Sequence, residues 1–283
     1  MNMLHDLVRR VERIEPLDRL AKPLIKVISP ALRPRVVRNL LSGTYVGHPL
    51  HPMLTDLPIG AWGMSAVLDA AGGPAAAPAA DLLVKVGVAA AVPTAASGLN
   101  DWSDTYGRET RAGLVHAMAM TTALSLYVAS AAARAQGSRR GGKALGLAGF
   151  GVLLAGAYLG GHLSFVHGVN VNRTAWQAGP QDWTPVLADA DLAEGEQRKV
   201  DAAGVSVLLY RTAGRLCALA STCSHMGGPL DEGTISAGCV TCPWHGSVFR
   251  FADGGIVRGP ASTPEPRYET RSRDGQIEVR ASP

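Results

Sequence analysis

The sequence predicts an all-α four-helix transmembrane domain followed by a small all-β domain. Three observations carry this. Hydrophobic residues make up 47% of the 283 and charged residues 18%, and four long apolar stretches are gathered within 48–170 while 183–283 has ordinary polarity. The C-terminal third holds two short Cys/His pairs. Around them lie alternating apolar runs joined by two-residue turns ending in glycine, the pattern of β-hairpins. The chain divides into a basic amphipathic segment at 1–47, a membrane domain at 48–170, a linker at 171–182 and the β domain at 183–283.

The opening MNMLHDLVRRVERIEP lacks the continuous apolar core and small-residue cleavage site of a secretory signal. Leu4, Leu7, Val8, Val11 and Ile14 recur at helical steps and share one face. That face either packs on its own protein or lies on a membrane surface with its arginines toward headgroups. Residues 1–47 carry nine Arg/Lys against four Asp/Glu, whereas from 183 onward ten basic residues face twelve acidic ones. The acidic balance excludes a duplex nucleic-acid binder, which needs a dense basic face.

The apolar stretches are 49–71, 82–99, 112–133 and 144–166. Each is near the roughly 20 residues that cross a bilayer as helix. The second includes Lys85, placed to snorkel, and the fourth has a Gly156/Gly160 pair at the spacing of close helix contacts. Four crossings put both termini on one side, and Arg33, Arg35, Arg38, Arg108 and Arg111 mark that side as cytoplasmic. Arg134, Arg139, Arg140 and Lys143 run against the rule. The expected location is a multi-pass protein of the bacterial plasma membrane with its β domain in the cytoplasm.

By the same parity, His48, His51, His116, His162 and His167 collect at one membrane end, the one from which the β domain emerges. Ionisable residues in spans are costly and point to function. Haem b between two of these histidines suits an electron chain, with His116 and His162 the preferred pair and His51 a substitute for either. A quinone site with a proton-accepting histidine, another metal, and a purely structural role are the alternatives. Asp56 and Asp69 are unusual in the first stretch, and Asp56 lies near the histidine face.

In the C-terminal third, Cys223-x-His225 and Cys242-x2-His245 are separated by sixteen residues. Two such loops approach one cluster from both sides, two thiolates on one iron and two imidazoles on the other. Zinc also accepts Cys2His2, but a finger places its cysteines together and its histidines together. The hairpins expected around the motif turn at Ala213-Gly214 and Asp274-Gly275. Cys217 and Cys239 read as small buried apolar residues.

Cys223-Ser224-His225-Met226-Gly227-Gly228-Pro229-Leu230 and Cys242-Pro243-Trp244-His245-Gly246 resemble the cluster loops of Rieske ferredoxins and oxygenase Rieske domains, and Gly259-Pro260 resembles their third, covering loop. The resemblance spans about 100 residues and implies a [2Fe–2S] cluster on Cys223, His225, Cys242 and His245. The bc-type members join an extra cysteine in each loop; here those places are Gly228 and Trp244, so that bridge is missing. Ser247 matches a serine that donates to a cluster sulfur in high-potential members, and Phe249 replaces their tyrosine, which implies an intermediate potential. Residues 48–170 resemble an uncharacterised family of four-helix membrane domains opening on Gly-His-Pro-x-His-Pro, some with a fused Rieske domain.

Only 23 residues follow Pro260, too few for a catalytic domain with a two-His-one-carboxylate iron site. The soluble part is therefore expected to be an electron carrier rather than a stand-alone oxygenase. The leading expectation is one-electron transfer between the cluster and haem b or quinol in the helices, with a redox partner protein beyond. The alternatives are a ferredoxin on an inert anchor that serves a separate oxygenase or reductase, and a redox sensor.

Overall fold

Apolar sequence gathered into long helical stretches builds seven α-helices among the described residues before the first strand: α1 (Met3–Glu12), α2 (Asp18–Leu32), α3 (Arg35–Ser42), α4 (Leu50–Ala71), α5 (Ala77–Trp102), α6 (Gly107–Ala135) and α7 (Arg139–Phe165). The computed structural model describes residues 3–282. Ten strands follow: β1 (Thr184–Ala188), β2 (Gln197–Ala202), β3 (Val205–Thr212), β4 (Arg215–Ala220), β5 (Thr234–Ser236), β6 (Cys239–Thr241), β7 (Val248–Arg250), β8 (Ile256–Arg258), β9 (Tyr268–Arg273) and β10 (Gln276–Ala281). The chain forms two compact units, and the N-terminal segment is shared between them. Residues 1–34 and 50–169 make the helical unit; residues 35–49, including α3, join 170–283 in the β unit.

In the helical unit α4 runs antiparallel to α5, and α6 to α7. The indole of Trp62 stacks on Tyr127 at 4.1 Å and 3°, with Val84, Ala123 and Leu153 buried around them. Glycines let these rings in: a methyl at Gly87 would lie 2.3 Å from Trp62 Nε1, and one at Gly149 3.1 Å from the Tyr127 ring. Buried hydroxyls and indoles donate to backbone carbonyls, Ser65 to Ala80 (3.1 Å), Ser130 to Gly142 (2.6 Å) and Trp62 to Val84 (3.3 Å), which removes the cost of burying them. Gly156 is a close-contact point, since a methyl there would lie 2.0 Å from Met120 Cε.

Among the described residues, three helical segments, Pro74–Trp102, Gly107–Ala135 and Arg139–Phe165, are long and apolar enough to cross a membrane. This corrects the expectation of four. The 22-residue α4 packs along α5 as a fourth bundle member, but His51, Pro52, Thr55, Asp56, Ser65 and Asp69 dilute its apolar character. Only 22–28% of the three apolar windows is buried within the protein. Their outward side chains, among them Leu82, Val92, Met118, Val128, Leu147 and Leu154, are exposed to whatever surrounds the bundle; that solvent is a bilayer.

Charge within the helical unit is paired at its two ends. At one end Asp69 and Asp81 bind Arg134 and Arg139, with Arg139 Nη1 2.6 Å from Asp81 Oδ1 and Arg134 bonded to Asp69, and Lys143 donates to the Asp69 carbonyl at 2.6 Å. The unusual Asp69 is thus the partner of the basic residues in the α6–α7 turn. At the other end Arg111 holds Asp18 with two hydrogen bonds of 2.7 and 3.0 Å and the Glu12 carbonyl at 3.0 Å, fixing α1 and α2 against α6. The amphipathic face of α1 is only partly covered: Val8 is buried, whereas Leu4 and Leu7, and Ile14 just beyond the helix, are exposed.

The β unit has three antiparallel sheets, ordered β1-β10-β9, β2-β3-β4 and β5-β6-β7-β8. Leu192, Val200, Val207, Leu209, Tyr268, Ile277 and Val279 fill one core, and Leu208, Leu219, Leu230, Val240, Phe249 and Phe251 a second. Both expected hairpins form with left-handed turn residues, Ala213/Gly214 at φ 50° and 70° and Asp274/Gly275 at 52° and 74°. Two positive φ values in succession are what a type I′ turn requires, and its twist matches the strands.

Candidate metal centre

The two cluster loops close in the same way. Cys223 N–H donates to Gly228 O (2.8 Å) and Gly227 N–H to Cys223 O (2.9 Å); Cys242 N–H donates to Ser247 O (2.8 Å) and Gly246 N–H to Cys242 O (3.1 Å). In each loop the residue four beyond the cysteine is a glycine, Gly227 at φ 81° and Gly246 at 71°, where a Cβ would be strained. This repeated closure turns both Cys/His pairs inward. The His225 and His245 rings meet at 5.1 Å, nearly perpendicular, and Cys223 and Cys242 are buried and hydrogen-bonded to each other.

The donor set fits a [2Fe–2S] cluster. Its thiols are free cysteines, and a methyl on Gly228 would lie 2.8 Å from Cys242 Sγ and 3.1 Å from the Trp244 ring, so glycine keeps that wall clear. The Cys242 thiol is held down to about 7, chiefly by the hydrogen bond from Cys223, while that bond and burial push Cys223 well up. Burial, with His245, Arg38 and Arg173 nearby, holds His225 well below the ordinary histidine range. A neutral imidazole is the ligand form. When bound, the cluster would supply one-electron exchange.

A third loop covers the centre. Ala261 N–H donates to Ser247 Oγ at 3.0 Å, and Arg258 donates to Gly246 O at 2.7 Å. Helix α3 and the turn after it clamp this loop from far away in sequence: Gly259 N–H donates to Asn39 Oδ1 at 2.8 Å, and Thr44 Oγ1 donates to Ala261 O at 2.8 Å. Beneath the first loop, Ser224 N–H donates to Glu265, whose carboxyl burial pushes up to about 8. Phe249 is fully buried in the core, and Trp244 stands 53% exposed beside His245. Cys217 and Cys239 are half-buried free thiols.

The structure redistributes the other histidines. His51 and His116 face each other edge-on at 6.4 Å, and each has its Nδ1 on a backbone carbonyl, Thr94 O at 2.9 Å and Gly156 O at 2.8 Å. His162 instead turns its Nε2 to Glu12 Oε1 at 2.9 Å, and His167 Nε2 reaches the same oxygen at 2.7 Å. His116 and His162, the preferred pair, thus take different partners, His116 packing against His51 and His162 turning to Glu12. His48 is exposed and belongs to the β unit. Sequence reasoning missed Glu12 and His5, whose ring lies 5.3 Å from His162. Their seven-residue separation on the amphipathic α1, a shared face, was the available signal.

These features define a Rieske iron–sulfur fold joined to a multi-pass membrane domain. Residues 182–270 match the Rieske [2Fe-2S] domain model, and residues 47–173 match a family described as a predicted membrane protein, DUF2231. The chain belongs to the Rieske [2Fe–2S] family, with its Rieske domain fused to a DUF2231 domain. Over 100 residues it is 31% identical to Ferredoxin CarAc of Metapseudomonas resinovorans, covering 35% of this chain and 94% of that protein. It is 32% identical over 98 residues to the anthranilate 1,2-dioxygenase ferredoxin subunit of Burkholderia cepacia, covering 35% of this chain and 91% of that one. Against Apoptosis-inducing factor 3 of Mus musculus it is 34% identical over 92 residues, 32% of this chain and only 15% of that protein's length. A solved complex of reduced oxygenase and oxidised ferredoxin in carbazole 1,9a-dioxygenase contains a chain 28% identical, covering 36% of this chain and 98% of that one, with a TM-score of 0.34.

Proposed function

We propose that this membrane-anchored Rieske electron-transfer module is a ferredoxin that donates single electrons to a separate oxygenase component at a membrane. The observation that carries the reading is the likeness, over 94% and 91% of their lengths, to Ferredoxin CarAc and to the anthranilate 1,2-dioxygenase ferredoxin subunit. The chain's own residues support it. Cys223, His225, Cys242 and His245 would hold the cluster, and the loop hydrogen bonds fix them, so little reorganisation accompanies each electron. Trp244, half-exposed beside His245, offers a flat contact at the edge of the site. The basic residues Arg108 and Arg111 at the start of α6, the bundle end at which α7 finishes, support a cytoplasmic β unit in a bacterial plasma membrane.

A second reading, in which haem b or a quinol in the bundle exchanges electrons with the cluster, is favoured by the His51–His116 pair. Both imidazoles have Nδ1 on a carbonyl, which leaves Nε2 as the ligand or acceptor nitrogen.

Anaerobic mixing tests the first reading: dithionite-reduced full-length protein in detergent against the oxidised terminal oxygenase of carbazole 1,9a-dioxygenase. Reoxidation of the chain with matching reduction of the oxygenase, slowed in Trp244→Ala without change in the cluster's resonance spectrum, is expected. Absence of transfer refutes donation to an oxygenase of this class.

A further inference from the structure

The two histidines at the end of α7 do something the electron-carrier reading leaves unexplained: both give Nε2 to one oxygen of one carboxylate. We infer that Glu12, His162 and His167 form a binding site for a divalent first-row transition-metal ion, separate from the iron–sulfur centre.

The geometry converges on a point. The Glu12 oxygen and both ring nitrogens lie within 4.8 Å of one another, and the two rings are 5.1 Å apart at 72°. Metal–nitrogen and metal–oxygen bonds in such sites are about 2.0–2.2 Å, so one ion set among the three atoms reaches all of them with small side-chain adjustment. The mixed imidazole–carboxylate set selects Fe, Zn, Co or Mn over the all-oxygen sites of Ca and Mg. Three protein ligands leave positions open, as catalytic rather than structural sites do.

The surroundings hold these ligands in place. His162 lies on the last turn of α7, and His167 follows directly, its N–H bonded to His162 O at 3.2 Å. Arg111 fixes the Glu12 backbone through its carbonyl at 3.0 Å and is itself held by Asp18. Glu109 Oε1 lies 4.0 Å from His167 Nδ1, beyond hydrogen-bond range, and adds a negative charge near the site. Glu12 and His162 are 5% and 6% exposed.

The open side is a cavity of about 350 Å³ lined by these ligands together with His5, Arg9, Arg13 and Arg108. His5 is a fourth candidate ligand. The three arginines make the cavity suited to an anionic co-ligand, a carboxylate or oxyanion, on the ion's open positions. A plain ion pair explains the positions less well. Two imidazoles converging on one carboxylate oxygen exceed what a tether needs, and nothing in a tether requires an arginine-lined opening.

The test uses full-length protein in detergent with its iron–sulfur cluster intact by paramagnetic resonance, so the cluster ligands are occupied. After chelator treatment, anaerobic Co(II) titration is followed in the visible range and Zn(II) binding by calorimetry. One Co(II) per chain is expected, with ligand-field bands of a four- or five-coordinate ion. Glu12→Gln keeps a hydrogen-bond acceptor for both histidines, so a structural tether survives it. Glu12→Gln and His167→Ala should each weaken binding more than about 100-fold, with cluster spectrum and helical content unchanged. If either ligand variant fails to fold, the other decides. Absence of stoichiometric Co(II) uptake by the wild type, or unchanged uptake in a folded Glu12→Gln or His167→Ala protein, overturns the assignment.

Discussion

Replacing Asn39 by Ala should destabilise the β unit although the residue lies 220 positions from its partner in the chain. Asn39 is 2% exposed, and its Oδ1 accepts the buried Gly259 N–H at 2.8 Å. The substitution removes that acceptor without opening the site to water, so Gly259 N–H is left unsatisfied at a cost of about 1–3 kcal/mol. The Asn39 Nδ2 contact with Val257 O at 3.5 Å is too long to add much. A central value near 2 kcal/mol is roughly a 30-fold change in the folding equilibrium, and for a unit of this size a melting shift of about 6–10 °C. Thr44→Val removes the hydroxyl donor to Ala261 O and should cost less, about 1 kcal/mol. The assay is thermal and denaturant unfolding of full-length protein, followed by visible circular dichroism of the cluster and far-ultraviolet signal together. An Asn39→Ala protein within 0.5 kcal/mol of wild type would refute the reasoning, because α3 would then not be docked on the covering loop.

Three further outcomes follow from named contacts. Ser247→Ala should lower the cluster's reduction potential by roughly 40–60 mV, the equivalent of one lost hydrogen bond for one electron: Ser247 Oγ is buried and already accepts from Ala261, so its own hydrogen is left to donate toward the cluster. A spectroelectrochemical titration measures this, and an unchanged potential contradicts it. Glu265, raised from 4.5 to about 8 by burial, binds more protons folded than unfolded between those values, so it makes stability fall as pH rises from about 5 to 8. Denaturation of Glu265→Gln across that range should show a shallower fall than wild type, and parallel curves would contradict the assignment. Gly87→Ala should destabilise the helical unit by about 1–3 kcal/mol, because the new methyl meets the Trp62 indole, itself pinned by stacking on Tyr127. Gly156→Ala should cost less, because the obstructing Met120 Cε ends a flexible side chain. Detergent melts compare the two, and the reverse order would contradict the packing account.

What could be read from sequence was local. Cys223/His225 and Cys242/His245 announce their chemistry because each pair sits in one short loop, and the glycine after each pair states the turn that closes it. Ala213-Gly214 and Asp274-Gly275 likewise specify their hairpins within two residues. Long-range partners left no such mark. Nothing near Asn39 signals that it will bond Gly259, and residues 35–49 read as part of a basic helical segment although they belong to the β unit. The membrane histidines show an intermediate case. Parity placed the starts of α4 and α6 and the end of α7 together, but not the rotation of each helix, so His116 turned to His51 and His162 to Glu12. Asp69 and Arg134 were each noticed as exceptions, one in a span and the other in a turn, and together they form one ion-pair network.

The most direct test of the electron-donor account is a reduced-minus-oxidised optical spectrum of the purified full-length protein, expressed with ample haem supply and kept in mild detergent. The account predicts only the broad bleaching of the iron–sulfur cluster, unchanged in His51→Ala and His116→Ala proteins. Sharp α and Soret bands that vanish in either variant would contradict it and make the bundle itself the cluster's redox partner.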